Sequence, residues 1–93
     1  MDAESFGNVF DALADTPAEA ASLKARSTLL TALVRQIGSW DMTQAAAAER
    51  LGITRPRLND LLRGKLSKFS LDALVNIAVA AGLSFEIKIA QAA

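Results

Sequence analysis

TQAAAAERLGITRPRLNDLLRG, residues 43–64, is the stretch on which the reading of this chain turns. It reads as two short helices joined by a tight turn at Gly52-Ile53-Thr54. Ala48 lies four residues after Gln44, and Gly52 lies eight after it. A small side chain at 48 lets a second helix cross close over the first. Glycine at 52 takes a left-handed backbone that bulkier residues resist. Ala47, Leu51, Ile53, Leu58 and Leu61 occupy the remaining inward positions, because residues three and four apart share one helix face. This is the spacing of a helix-turn-helix, whose second helix enters the major groove of double-stranded DNA. Sequence-specific DNA binding is the leading expectation.

On the N-terminal side, Thr16-Pro17-Ala18-Glu19 has the form of a capping box with proline in the first helical position. It predicts a helix from Pro17 to about Ile37, ending near Gly38, with Leu30, Leu33, Val34 and Ile37 as its apolar stripe. Trp40, in the following turn, reads as a hydrophobic plug between that helix and the motif, with a stacking platform as the alternative. Thr43 caps the helix from Gln44 to Leu51, and Thr54 caps the one from Arg55 to Arg63. Pro56 is tolerated because first-turn amides lack intrahelical partners. Beyond Gly64, Ser70 caps a helix to about Ala81, with Leu71, Leu74, Val75 and Ala78 inward. Residues 83–89 then change period. Leu83, Phe85, Ile87 and Ile89 alternate with polar residues, the pattern of a β-strand with one apolar face. A lone strand needs a partner. Either the Asn8-Val9-Phe10 region supplies it, or the same strand of a second copy does, across a dimer. Residues 1–15 read as an N-terminal arm or a short helix capped by Asn8, with Phe6 and Phe10 as core or dimer-seam residues. The expected fold is mainly α: a single domain over 1–93, a five-helix bundle with a short C-terminal strand.

Ninety-three residues suggest one domain. A hydrophobic content of 52% against 22% charged residues favours a folded globule over disorder. Cysteine is absent, which excludes disulfides and thiolate metal sites and makes a reducing cytoplasm the expected setting. No apolar run approaches the roughly 18 residues of a membrane span. Histidine and tyrosine are missing too, so the commonest general base and metal ligand are unavailable. Carboxylates and lysines remain, but an enzyme is not the expectation, and neither a cofactor nor a metal is. The formal charge is zero, yet its distribution is polar. Residues 1–22 carry Asp2, Glu4, Asp11, Asp15 and Glu19 with no base, whereas Arg50, Arg55, Arg57, Arg63, Lys65 and Lys68 face a single Asp60 further on.

With Leu58, Leu61 and Leu62 toward the core at about 100° per residue, Pro56, Asn59, Asp60 and Arg63 point outward, and Arg55 and Arg57 flank the helix start. The fork of arginine fits the O6/N7 pair of guanine, and asparagine matches adenine. Arg55, Asn59 and then Arg57 are the expected base readers. Asp60 either accepts from a cytosine amine or pairs with Arg57 or Arg63. Phosphates are expected on Thr43, Gln44 and Thr54 at the helix starts, and on Arg63, Lys65 and Lys68 beyond the reading helix. Arg50 reads as a solvated charge.

These residues carry a resemblance. Thr43-Gln44, Leu51 to Lys65 and Phe69-Ser70-Leu71-Asp72 resemble the XRE family of lambda-repressor-like regulators. They look closest to the branch with HigA-like antitoxins, as do Gly7-Asn8-Val9-Phe10, Ala81-Gly82-Leu83 and Phe85-Glu86-Ile87. The resemblance implies a compact helical bundle, a homodimer and repression of a promoter, with phosphate on Gln44 and base contacts on Arg55, Arg57 and Asn59. Two positions depart from the family's pattern: Pro56 removes one reading position, and Ala46 replaces a glutamate or polar residue of the cap. Two roles follow, and they can coexist. One is a dimeric repressor on a palindromic operator. The other is an antitoxin that neutralises a small basic toxin protein through acidic residues 1–22 and the long helix. A pure protein-interaction bundle is the third class.

Overall fold

Each helix starts at a hydroxyl side chain. In the computed structural model, which describes residues 15–92, Thr16, Thr43, Thr54 and Ser70 accept from the amides of Glu19, Ala46, Arg57 and Ala73 at 3.1, 3.1, 3.2 and 3.1 Å. These contacts satisfy amides that have no partner inside the helix. They open α1 (Pro17–Gly38), α2 (Gln44–Leu51), α3 (Arg55–Leu62) and α4 (Leu71–Ala80). At α1 the Glu19 carboxylate answers the cap by accepting from the Asp15 amide at 3.0 Å, so the reciprocal bond lands one residue before the cap.

The ends are as regular as the starts. Gly52 sits at φ 71°, and behind it the Ile53 amide reaches back to the Ala48 carbonyl at 3.0 Å. Gly64, at φ 72°, does the same for α3, where the Lys65 amide donates to the Asp60 carbonyl at 3.0 Å. The left-handed glycine reverses the chain and lets the next residue bond a terminal carbonyl. After α3 the chain makes one 3-10 turn, Leu66–Lys68, and drops Phe69 into the core.

The core forms where α1 lies across α4, the 3-10 turn and α3, while α2 packs on α3 and α4. Phe69, Leu33, Leu58, Leu61 and Leu74 are its largest fully buried side chains. Two polar clamps from α1 lock the loops onto it. Arg26 donates from Nη1 to the carbonyls of Leu66 and Phe69 at 3.3 Å each, and Gln36 donates to the Ala81 carbonyl at 3.1 Å. Among the described residues no helix is long and apolar enough to cross a membrane.

Several expectations change. The described residues hold four α-helices and no strand. The expected N-terminal arm or short helix over residues 1–15 lies, but for Asp15, outside those described. Residues 83–89 show no strand, and Phe85, Ile87 and Ile89 are 43%, 77% and 92% exposed. The reason is the one that made a partner necessary: an extended segment bonds through its neighbour, and none is seated beside it among the described residues, the Asn8-Val9-Phe10 candidate lying outside them. The inward stripe of α4 is also rotated. Leu74, Ile77, Ala78 and Ala81 are buried, whereas Leu71 is exposed and Val75 only half-buried. Leu71 and Val75 instead line a groove with Ala25, Leu29, Phe85 and Ile87.

Phe69→Ala removes the one fully buried aromatic ring among the described residues and is expected to destabilise the fold by about 3–5 kcal/mol. Val79→Ala, at a 64% exposed position, is expected to stay within about 0.5 kcal/mol. Urea unfolding of both variants checks this; similar losses at the two sites would contradict the packing described.

Candidate nucleic-acid interface

α2 and α3 meet at the Gly52-Ile53-Thr54 turn as two separate helices. Ala47, Ala48 and Leu51 of the first and Leu58 and Leu61 of the second are all buried. The small Ala48 side chain is buried in the crossing, and Ile53 packs half-buried against the same cluster. With Leu58 and Leu61 inward, the opposite face of α3 is left to Arg55, Pro56, Asn59 and Asp60.

Arg55 is exposed at the first position of α3, and Asn59, one turn on, is half-buried. Both belong to one side of the helix, since they are four residues apart. Thr43, Gln44 and Thr54 are exposed at the starts of α2 and α3. The Thr43 and Thr54 oxygens accept the cap bonds, which leaves each hydroxyl hydrogen available to an acceptor. Arg63 is exposed just past the end of α3.

Arg57 is placed differently from Arg55. Its Nη1 donates to the Lys68 carbonyl at 2.8 Å, and its guanidinium carbon lies 4.1 Å from the centre of the Phe69 ring. The side chain leans sideways off α3 and holds the loop after it, so its fork is already engaged. Arg50, expected to be a solvated charge, lies 4.0 Å over the Trp40 ring. Trp40 packs half-buried against the core, as the plug reading expects, and its ring is taken by an arginine of the same chain.

Asp60 takes neither Arg57 nor Arg63 as its partner. Its carboxylate meets Lys65 Nζ at 3.3 Å and Lys68 Nζ at 3.6 Å. Reading along the helix finds residues three apart, whereas the left-handed turn at Gly64 folds the following lysines back over the last turn of α3. The two lysines expected to hold phosphate therefore share one carboxylate. Arg26 was also invisible as a tie to this loop. Its signal is a charge four residues before Leu30, on the buried face of α1, where a cation needs carbonyl partners.

Partial desolvation pushes the Asp60 carboxyl up, but the hydrogen bond from Lys65 and the charges of Lys68 and Lys65 outweigh it and hold the group below its ordinary value of 3.8. A carboxyl lowered by folding contributes its full stabilisation above the ordinary value and loses it as pH falls through the lowered one. The loop from Lys65 to Lys68 is therefore expected to stay clamped down to that value and to loosen in stronger acid. An NMR titration of Asp60, read together with the amides of Lys65 and Lys68, checks this; a midpoint at or above 3.8 would contradict the clamp.

A comparison with characterised proteins finds no match. A comparison with protein families matches residues 12–90 to a helix-turn-helix domain. That span takes in all four helices, the loop held by Arg26 and Arg57, and most of the C-terminal segment. The chain belongs to the helix-turn-helix domain family, a membership that supports a DNA-binding regulator.

Proposed function

We propose that this protein is a sequence-specific, dimeric repressor of the XRE type, close to HigA-like antitoxins, and that it reads a palindromic operator in the major groove. The observation that carries the reading is the exposed first turn of α3, presented by a separate α2 and bearing Arg55, with Asn59 one turn behind it. Arg55 and Asn59 read base edges, and Arg57 positions the loop behind them. Thr43, Gln44 and Thr54 donate to phosphates from the helix starts, and Arg63, Lys65 and Lys68 hold the backbone at the far end. The work is done in the cytoplasm, on the chromosome.

The C-terminal segment supports the dimeric part of this reading. Phe85, Ile87 and Ile89 project apolar surface into solvent at alternate positions, which suits pairing with the same segment of a second copy. A two-fold pair would set the two copies of α3 about one helical turn of DNA apart, roughly 34 Å.

Selection of bound fragments from random DNA is the direct test, and it should return a sequence with two-fold symmetry. Arg55→Ala is expected to lose about 1–3 kcal/mol of preference for that sequence over random duplex, with its unfolding midpoint unchanged. A protein that recovers no common sequence, or an Arg55→Ala variant with undiminished preference, would overturn the reading. Ile87→Asp with Ile89→Asp is expected to give a monomer by sedimentation; an unchanged mass would remove the segment from the dimer contact.

A further inference from the structure

Between Asp60 and Lys68 the surface of α3 carries an arrangement that DNA reading alone does not require. One short carboxylate on a rigid helix faces two long ammonium side chains, at 3.3 and 3.6 Å. The backbone beneath is pinned on every side. The Lys65 amide donates to the Asp60 carbonyl, the Lys68 amide donates to the Lys65 carbonyl at 3.0 Å, and Arg57 holds the Lys68 carbonyl at 2.8 Å. Arg26 holds the carbonyls of Leu66 and Phe69 from below. The main chain is fixed, so only the lysine side chains can change partners. Their side chains are also the more exposed ones of the cluster, at 41% and 55% against 20% for that of the aspartate.

We propose that Asp60 is an internal counter-ion for Lys65 and Lys68, which keeps both lysines off phosphates in loose encounters with duplex DNA and so sharpens the choice between matching and non-matching sites. The inference rests on the DNA-binding reading above. A lysine that neutralises a phosphate releases a condensed counterion, and this term supplies almost all of the affinity for non-matching DNA. A lysine already paired with a carboxylate contributes less of it. In the matched complex α3 is seated in the groove, and phosphates arrive close enough to draw both ammonium groups away. In a sliding encounter they stay with Asp60. Asp60 is thus a specificity-determining residue that touches no base.

The test is a double-mutant cycle with a labelled duplex of random sequence, titrated over a series of salt concentrations. Four full-length proteins are compared: wild type, D60N, K65Q/K68Q and the triple variant. D60N should bind the random duplex more tightly than wild type, with a log–log salt slope steeper by about one to two, so that a fourfold rise in salt removes roughly tenfold more of its affinity. In the K65Q/K68Q background D60N should change nothing. An unchanged slope in D60N would overturn the proposal. Equal tightening in both backgrounds would overturn it too, because Asp60 would then act by plain repulsion of phosphate. If none of the four binds duplex even at low salt, the DNA-binding reading fails together with it. If all bind but the coupling is absent, only the counter-ion is lost. A second readout needs no change at Asp60: by NMR, its carboxyl should titrate higher in K65Q/K68Q than in wild type, and an unshifted midpoint would show that the lysines do not hold it.

Discussion

A helix of eight residues does not hold its shape alone in water, and α2 and α3 have eight residues each. Everything that presents the outer face of α3 follows from this constraint. Its two inward leucines, Leu58 and Leu61, are completely buried, and they share one core with residues of α1, α2, α4 and Phe69. The 22-residue α1 is therefore more than a neighbour. It is the beam against which the short helices set their angle, and its apolar stripe supplies contacts that two turns of helix cannot make for themselves.

The loop after α3 shows how charge serves that arrangement. Arg26 reaches up from α1 and Arg57 leans down from α3, and between them they bond the carbonyls of Leu66, Lys68 and Phe69. Arg57 also covers the ring whose burial anchors the loop. An arginine can do both because its planar fork donates in the plane while its face stacks. Arg50 over Trp40 repeats the second half of the device at the other end of the motif. Of the basic residues between 50 and 68, Arg55 and Arg63 are left as exposed charges outside these cation–π and carboxylate contacts. The positive surface is more selective than the count of basic residues suggests: some cations build the platform, and fewer are offered from it.

Much of this was legible along the chain. The four hydroxyl caps, the glycine stops and the stripe of Leu30, Leu33 and Ile37 are local features. A cap needs only the next three residues, and a stripe only the helical period. The crossing of α2 and α3 was readable for the same reason, since its constraints lie within 22 residues. The stripe of α4 was misread by part of a turn. Leu71 and Val75 fit the period as well as Ile77 does, and the choice between them is made by how α4 rolls against α1.

What the sequence determined by itself was a set of short-range matters: where helices begin and end, which face of each is apolar, and that Arg55 and Asn59 share one side of the second short helix. Backbone capping and side-chain periodicity act over a few residues, so the order of residues is enough to specify them. The tertiary structure alone decided which charges are paired with which groups. Asp60 with Lys65 and Lys68, Arg57 with Phe69, and Arg26 with the carbonyls of Leu66 and Phe69 are pairings across a chain reversal or between distant elements. An ion pair or a stacked cation is set by distance in space, and that distance exists only once the left-handed turn at Gly64 and the burial of Phe69 have brought the loop back against its own helix.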